Sequence, residues 1–145
     1  MSTSMTRFER EAFLTELHVG VLSVHQDERG PLTVPVWYAY EPGGTVNVVT
    51  AEESKKGLAI AASGRFSLCA QDETPPYKYV SVEGPVVKRE KPVDPVERRS
   101  IAHRYLGEEL GDLYVQSTEP DAVHDVMFRM APELWFAADF AQELP

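Results

Sequence analysis

The gaps between the β-rich segments of the first half of the chain are too short for anything but hairpins. Val19 to Val24 runs into the polar turn His25-Gln26-Asp27-Glu28-Arg29-Gly30, and the next segment ends at Glu41-Pro42-Gly43-Gly44. A parallel pair needs a crossover of roughly a dozen residues or more, so these turns predict antiparallel neighbours. In the middle segment Leu32, Val34, Val36, Tyr38 and Tyr40 alternate with Thr33, Pro35, Trp37 and Ala39, the period of a strand with one face buried. Thr45 to Thr50 then predicts a third strand of the same meander.

Helix signals flank these strands. Thr6-Arg7-Phe8-Glu9 has capping-box spacing, with Phe13, Leu14 and Leu17 following on one face, so a short amphipathic helix is expected there. Ser54 predicts the cap of a second helix from Lys55 to about Ala62, stopped at Ser63-Gly64. Phe66 to Gln71 reads as a fourth strand, and Tyr77 to Lys88 as a long fifth strand bent near Gly84-Pro85. Asp94-Pro95 opens a third helix that runs to Leu106 and ends at Gly107. Met127 to Met130 and Leu134 to Asp139 look like a closing pair of strands around Ala131-Pro132-Glu133. Six or seven strands in hairpin order with two or three short helices predict a mainly β chain, an antiparallel barrel with accessory helices, because closure removes exposed sheet edges. With 145 residues and no internal repeat or linker, residues 1–145 are expected to form a single domain.

Composition narrows the partners. There are 14 Lys and Arg against 23 Asp and Glu, a formal charge of −9, so neither nucleic acid nor an anionic membrane is an expected partner. The longest apolar runs, Leu58 to Ala62 and Leu134 to Ala138, fall far short of a membrane span. The single cysteine, Cys69, forms no intrachain disulfide, which together with a charged N-terminal segment points to a cytoplasmic protein.

The most informative stretch runs from Val46 to Lys56, a strand that leads through a short turn into a helix N-terminus. Free amide donors and a positive dipole end make such a terminus a phosphate site, and Thr50, Ser54, Lys55 and Lys56 supply two hydroxyls and two ammonium groups. Cations at the first two helical positions oppose the dipole, and a bound anion would offset that cost. The same lysines also fit a solvated face balancing Glu52 and Glu53, and the residues alone leave both readings open. Pro35 marks an edge or irregularity in its strand, and Trp37 beside it offers a surface for a flat aromatic ligand; a core tryptophan on an edge strand accounts for it equally well.

In order and spacing, several segments resemble the pyridoxamine 5′-phosphate oxidase-related split β-barrel superfamily, and most closely its branch of flavin- and deazaflavin-dependent oxidoreductases. They are Thr50 with Ser54-Lys55-Lys56, Gly64-Arg65-Phe66-Ser67-Leu68, Val34-Pro35-Val36-Trp37-Tyr38, Tyr79 to Gly84, Arg104-Tyr105-Leu106-Gly107 and Pro132-Glu133-Leu134-Trp135. The resemblance implies a split antiparallel barrel and an FMN- or F420-binding oxidoreductase that passes a hydride between the cofactor ring and a small conjugated substrate. It implies a homodimer with two cofactor sites at the interface. Thr50, Ser54, Lys55 and Lys56 would hold the cofactor phosphate, and Val34, Pro35, Val36 and Trp37 would run along the ring. Gln71 and Tyr79 would contact the ring or ribityl chain, and partner segments around Tyr105 or Trp135 would complete the pocket.

Two departures qualify the resemblance. Val34 stands where the pyridoxine-phosphate oxidases carry an arginine, and the segment from Trp135 to Phe140 lacks their Arg-x-His, so vitamin B6 oxidation is not expected. The cofactor carries the hydride chemistry, and no catalytic side chain is assigned. His18, His25, His103 and His124 fit no metal-site spacing. Cys69 is expected to be a buried small hydrophobe, Ser23, Ser81 and Ser100 lack a Gly-x-Ser-x-Gly context, and Glu108-Glu109 are expected to be solvated turn or helix-end residues. The rival to an oxidoreductase is a non-catalytic flavin or F420 carrier or sensor, which needs no cleft beside the ring.

Overall fold

In the computed structural model, which describes residues 2–144 apart from the side chain of Gln142, the capping box forms as its spacing requires. Thr6 Oγ1 accepts from the Glu9 amide at 3.1 Å, and the Glu9 carboxylate accepts from the Thr6 amide at 2.9 Å. They open α1, Arg7–Thr15, whose buried Phe13 and Leu14 plug the barrel interior. The strands are β1 (Gly20–Val24), β2 (Leu32–Val36), β3 (Val46–Ala51), β4 (Arg65–Asp72), β5 (Lys78–Glu90), β6 (Asp125–Met130) and β7 (Leu134–Asp139). Helix α2 spans Lys55–Ser63 and α3 spans Pro95–Leu106. All strand pairs are antiparallel, in the order β2-β1-β4-β5-β6-β3, with β7 branching from β5. The sheet curls into a half-barrel around Leu22, Tyr38, Val48, Leu68, Val80 and Phe128, each at most 1% exposed, which bears out the mainly β barrel with accessory helices.

The connectivity corrects three expectations. β3 does not continue the β1–β2 meander: apart from a lone bridge between Ala39 and Asn47, it pairs with β6, with Thr50 opposite Val126 and Ala51 opposite Asp125. The Pro-Gly-Gly turn closes only that single bridge, with hydrogen bonds of 3.0 and 2.9 Å between Ala39 and Asn47. β2 ends at Val36; Tyr38 and Tyr40 stay buried beyond it, and the Tyr38 hydroxyl donates to the Leu14 carbonyl at 2.6 Å. β6 and β7 do not pair with each other. They lie end to end along one edge of β5, β7 against Lys78 to Glu83 and β6 against Val86 to Glu90. A fourth helix, α4 over Glu108–Thr118, and a 3-10 helix over Glu119–His124 follow α3, where the sequence offered no cap stronger than Gly107. Glu108 and Glu109 open α4 and complement its dipole.

The split between β6 and β7 sits at Gly84. Ala131 donates its amide to Pro85 O and Glu133 to Glu83 O, both at 2.9 Å. A Cβ on Gly84 would run into the Ala131 carbonyl oxygen, so only glycine lets the corner approach. Past it, a register shift between Val86 and Lys88 redirects β5 toward β6.

α3 lies over the outer face of β3 and β6, where Val93, Ile101 and Met127 pack with Trp37, Val49 and Tyr105. Covering both faces of β6 explains its unbroken buried run Val126-Met127-Phe128. Arg129 anchors the helix: it donates to Glu90 at 2.8 and 3.2 Å and to Glu97, in the first turn of α3, at 2.8 and 2.7 Å. Among the described residues no helix is long and apolar enough to cross a membrane.

Two outcomes follow. Gly84→Ala lowers unfolding free energy by about 3 kcal/mol, the cost of severe overpacking, in urea titration; a loss below roughly 0.5 kcal/mol, the size of an ordinary surface change, contradicts the corner geometry. The Arg129 and Lys88 hydrogen bonds hold the Glu90 carboxyl at about 2, below its unfolded value of about 4.3. The resulting stability is present above the unfolded value and lost as pH falls toward 2, and Arg129→Gln flattens that part of the stability profile.

Candidate functional site

The strand-turn-helix at Val46 to Lys56 forms as its residues dictate, and its hydroxyls are fully engaged. Ser54 caps α2, its Oγ accepting from the Gly57 amide at 3.1 Å. That Oγ lies 2.7 Å from the Ala51 carbonyl, which can only accept, so Ser54 donates there. Thr50 Oγ1, 3.0 Å from Ser54 Oγ, therefore donates in turn, and Thr50 is only 5% exposed. The two hydroxyls build the turn. Gly57 completes it, since a Cβ there would strike the Ala51 and Glu52 carbonyls.

The positive charges are free. Glu52 accepts from Arg89 at 2.6 Å and Lys91 at 3.2 Å, which hold its carboxyl below the usual range, and its amide donates to His124 O. Glu52 therefore does not balance the lysines, and among the described residues neither Lys55 nor Lys56 forms an ion pair. Among the described residues the Lys55 and Lys56 amides also lack acceptors, being the first-turn donors that Ser54 leaves open.

Lys56 reaches into a cavity of about 320 Å³ between the barrel and the helices. Trp37, Val49, Ile101 and Ala102 form an apolar wall with Tyr114, and Arg98, Thr118, Asp121 and Asp125 form a polar end. Trp37 is held by its own chain: Tyr105 stacks on it at 5.0 Å with planes 5° apart, and Tyr114 lies at 5.2 Å with planes 54° apart. Tyr105 is fixed by a hydrogen bond to His18 O at 2.7 Å and one from the Tyr38 amide at 3.0 Å. Arg104 beside it donates to Thr15 O and Glu16 O, closing the C-terminal end of α1. Burial raises the Asp125 carboxyl above its usual value.

The structure thus brings Trp37, Thr50 and Lys56 to one cavity; Ser54 reaches it only through its hydrogen bond with Thr50, and Lys55 is not among its lining residues. It does not bring the other expected residues there. Val34 and Val36 point into the barrel core, and Pro35 lies outward on edge strand β2, opposite Val21. Gln71 and Tyr79 are register partners on the outer face of β4 and β5, away from the cavity. Trp135 turns inward, with the Arg10 guanidinium 4.7 Å from its ring centroid. Arg98, Tyr114 and Asp125 are cavity residues that sequence reasoning missed; for Asp125 the one usable signal was its pairing opposite Ala51, which needs the β3–β6 register.

No protein-family model and no curated protein matches the chain. Solved structures do. An F420 reductase is 23% identical and covers 87% of this chain and 94% of its own, with a TM-score of 0.71. A conserved hypothetical protein of Mycobacterium tuberculosis is 20% identical over 99% of this chain and 91% of its own, with a TM-score of 0.78. A FAD-binding protein of Mesorhizobium loti is 21% identical over 92% and 94%, with a TM-score of 0.64. The chain has the pyridoxamine 5′-phosphate oxidase-like split-barrel fold.

The hydrogen-bond assignments predict that Ser54→Ala lowers stability by about 1 kcal/mol, the usual worth of a cap, measured by chemical denaturation. Lys56→Gln, which removes no partner, changes stability by less than about 0.5 kcal/mol; the reverse order would contradict the assignment.

Proposed function

We propose that this protein binds a flavin-type cofactor, FMN or F420, through its phosphate at the N-terminus of α2, and acts as an oxidoreductase on a small conjugated substrate. The observation that carries the reading is the uncompensated positive charge of Lys55 and Lys56 together with their two free amides, in a chain of net charge −9. Two ammonium groups and two N–H donors at a helix N-terminus fit a phosphate dianion. Bound there, such a cofactor supplies the hydride-carrying ring.

The chain's own residues orient and exclude. Thr50 and Ser54 keep the turn in the shape that presents the amides. Trp37, held by the Tyr105 stack, lines the cavity together with Tyr114, and Val49, Ile101 and Ala102 keep that side apolar. The cavity beside the lysines favours an enzyme over a carrier, which needs no such space. The F420 reductase and the FAD-binding protein among the structural relatives support the cofactor class.

At about 320 Å³ the cavity is near the lower limit for a ligand pocket: it suits a small substrate, and a three-ring cofactor held at the first turn of α2 lies largely outside it. In the proposed homodimer a second copy supplies the remaining wall. The outer face of β1, β4, β5 and β7 suits it: Val21, Cys69 and Ser81 lie in one small-residue row between Pro35 and Phe136, and Phe136 is 73% exposed. Gln71 and Tyr79 share this face and join the site in this arrangement. Val34 and Val36 contribute backbone only.

Absorbance and fluorescence titration with FMN and with F420 tests the reading. One of the two binds, and Lys55→Glu with Lys56→Glu abolishes binding while far-UV circular dichroism is unchanged. Unaltered affinity in the double variant would place the phosphate elsewhere. Reduced cofactor on the protein is reoxidised by enones or quinones faster than in buffer; a rate equal to background would favour the carrier.

A further inference from the structure

The polar end of the cavity holds a cation that the phosphate reading leaves unused. Among the described residues the Arg98 side chain, only 12% exposed, makes one hydrogen bond, from Nη2 to Thr118 Oγ1 at 2.6 Å, and one looser contact, from Nε to Asp125 Oδ2 at 3.8 Å. Arg129, 17% exposed, is paired with two carboxylates through four hydrogen-bond contacts of its Nε and Nη2. A guanidinium carries five N–H donors in a planar fork and keeps its proton. Burying it beside a neutral hydroxyl and a carboxylate beyond hydrogen-bond distance leaves much of its desolvation cost uncompensated. No Arg98 nitrogen is both sealed from open space and unpartnered, so its remaining donors keep access to open space, and Arg98 lines the cavity.

We propose that Arg98 anchors the substrate and that the substrate is a small conjugated carboxylate, its carboxylate gripped by the Arg98 fork and its unsaturated body lying against Trp37 and Tyr114. The term substrate rests on the oxidoreductase reading; the ligand site stands on the cavity alone. Bidentate geometry makes the Arg–carboxylate pair both strong and directional. Lys56 adds positive charge from α2, while Asp121 and Asp125 face Arg98 from the 3-10 helix and β6. Asp125 is the competitor that an incoming carboxylate must displace. Its loose 3.8 Å contact makes that displacement feasible, and burial raises its carboxyl above the usual value.

The test is calorimetric titration of the cofactor-free, full-length protein with trans-cinnamate, using methyl cinnamate as the uncharged control. The acid binds roughly tenfold tighter than the ester or better, the scale of a charged hydrogen bond, and Arg98→Gln removes that preference. Asp125→Asn, which deletes the competitor and keeps the anchor, tightens acid binding. Equal affinity for acid and ester, absence of binding by the acid, or a preference that survives Arg98→Gln overturns the proposal. If Arg98→Gln fails to fold, Asp125→Asn decides, and unchanged or weakened acid binding in that variant overturns it. A wild-type protein that takes cinnamate but neither FMN nor F420 would overturn the cofactor reading and leave the Arg98 site standing.

Discussion

The close approach of the Ala131 carbonyl to Gly84 is the contact on which the rest of the molecule depends. It lets two strands share one edge of β5, β7 on the first half and β6 on the second. Because β6 is sent past the corner instead of back along β7, it is free to take β3 as its other neighbour, and the β3–β6 register sets Asp125 opposite Ala51. That register places the end of β3, and with it the first turn of α2, against the 3-10 helix: the Glu52 amide reaches His124 O at 2.8 Å. A side chain at Gly84 would push the corner away and disturb every one of these placements.

The helices then turn a strand end into a cavity. α3 is tied to the barrel at both ends, by Arg129 to Glu97 near its start and by Arg104 and Tyr105 to the Thr15–His18 segment near its finish. α4 is tied to α3, through the Asp112 carboxylate that receives both Arg99 and His103. Between these anchors the helices stand off β3 far enough to leave open space beside Trp37. The charges in that space are uneven in a useful way. Glu52 is consumed by Arg89 and Lys91, which leaves Lys55 and Lys56 without an ion pair among the described residues, and Arg98 has one loose carboxylate contact while Arg129 holds two carboxylates at hydrogen-bond distance. An acidic chain can hold an anion where its own carboxylates are engaged elsewhere.

Much of this was legible in the residues. Thr6, Ser54, Asp94 and Gly107 marked helix ends because caps are local chemistry, and the alternation of Leu32, Val34 and Val36 marked β2 because one face of it is buried. Pro35 marked an edge strand correctly. What was not legible depends on pairings distant in sequence. Nothing local says that β3 leaves β2 for β6, or that Leu134 to Asp139 pairs with β5 instead of with its nearest neighbour. α4 escaped notice because it lacks a side-chain cap and buries only Gly111. Of the cavity's lining, Lys56 and Trp37 were candidates by type and spacing, while nothing local in the sequence singled out Arg98. Thr50 and Ser54 were the right residues for the turn, although their protons are spent on it.

The central claim is that an anion belongs at the first turn of α2. The most direct measurement is amide chemical-shift mapping of the labelled protein during titration with FMN and with F420. The account predicts that the Lys55 and Lys56 amides, which lack acceptors in the free protein, shift downfield most strongly, with Gly57 and the Trp37 indole following. Saturable binding with those amides unmoved, and the shifts gathered on another element, would contradict it.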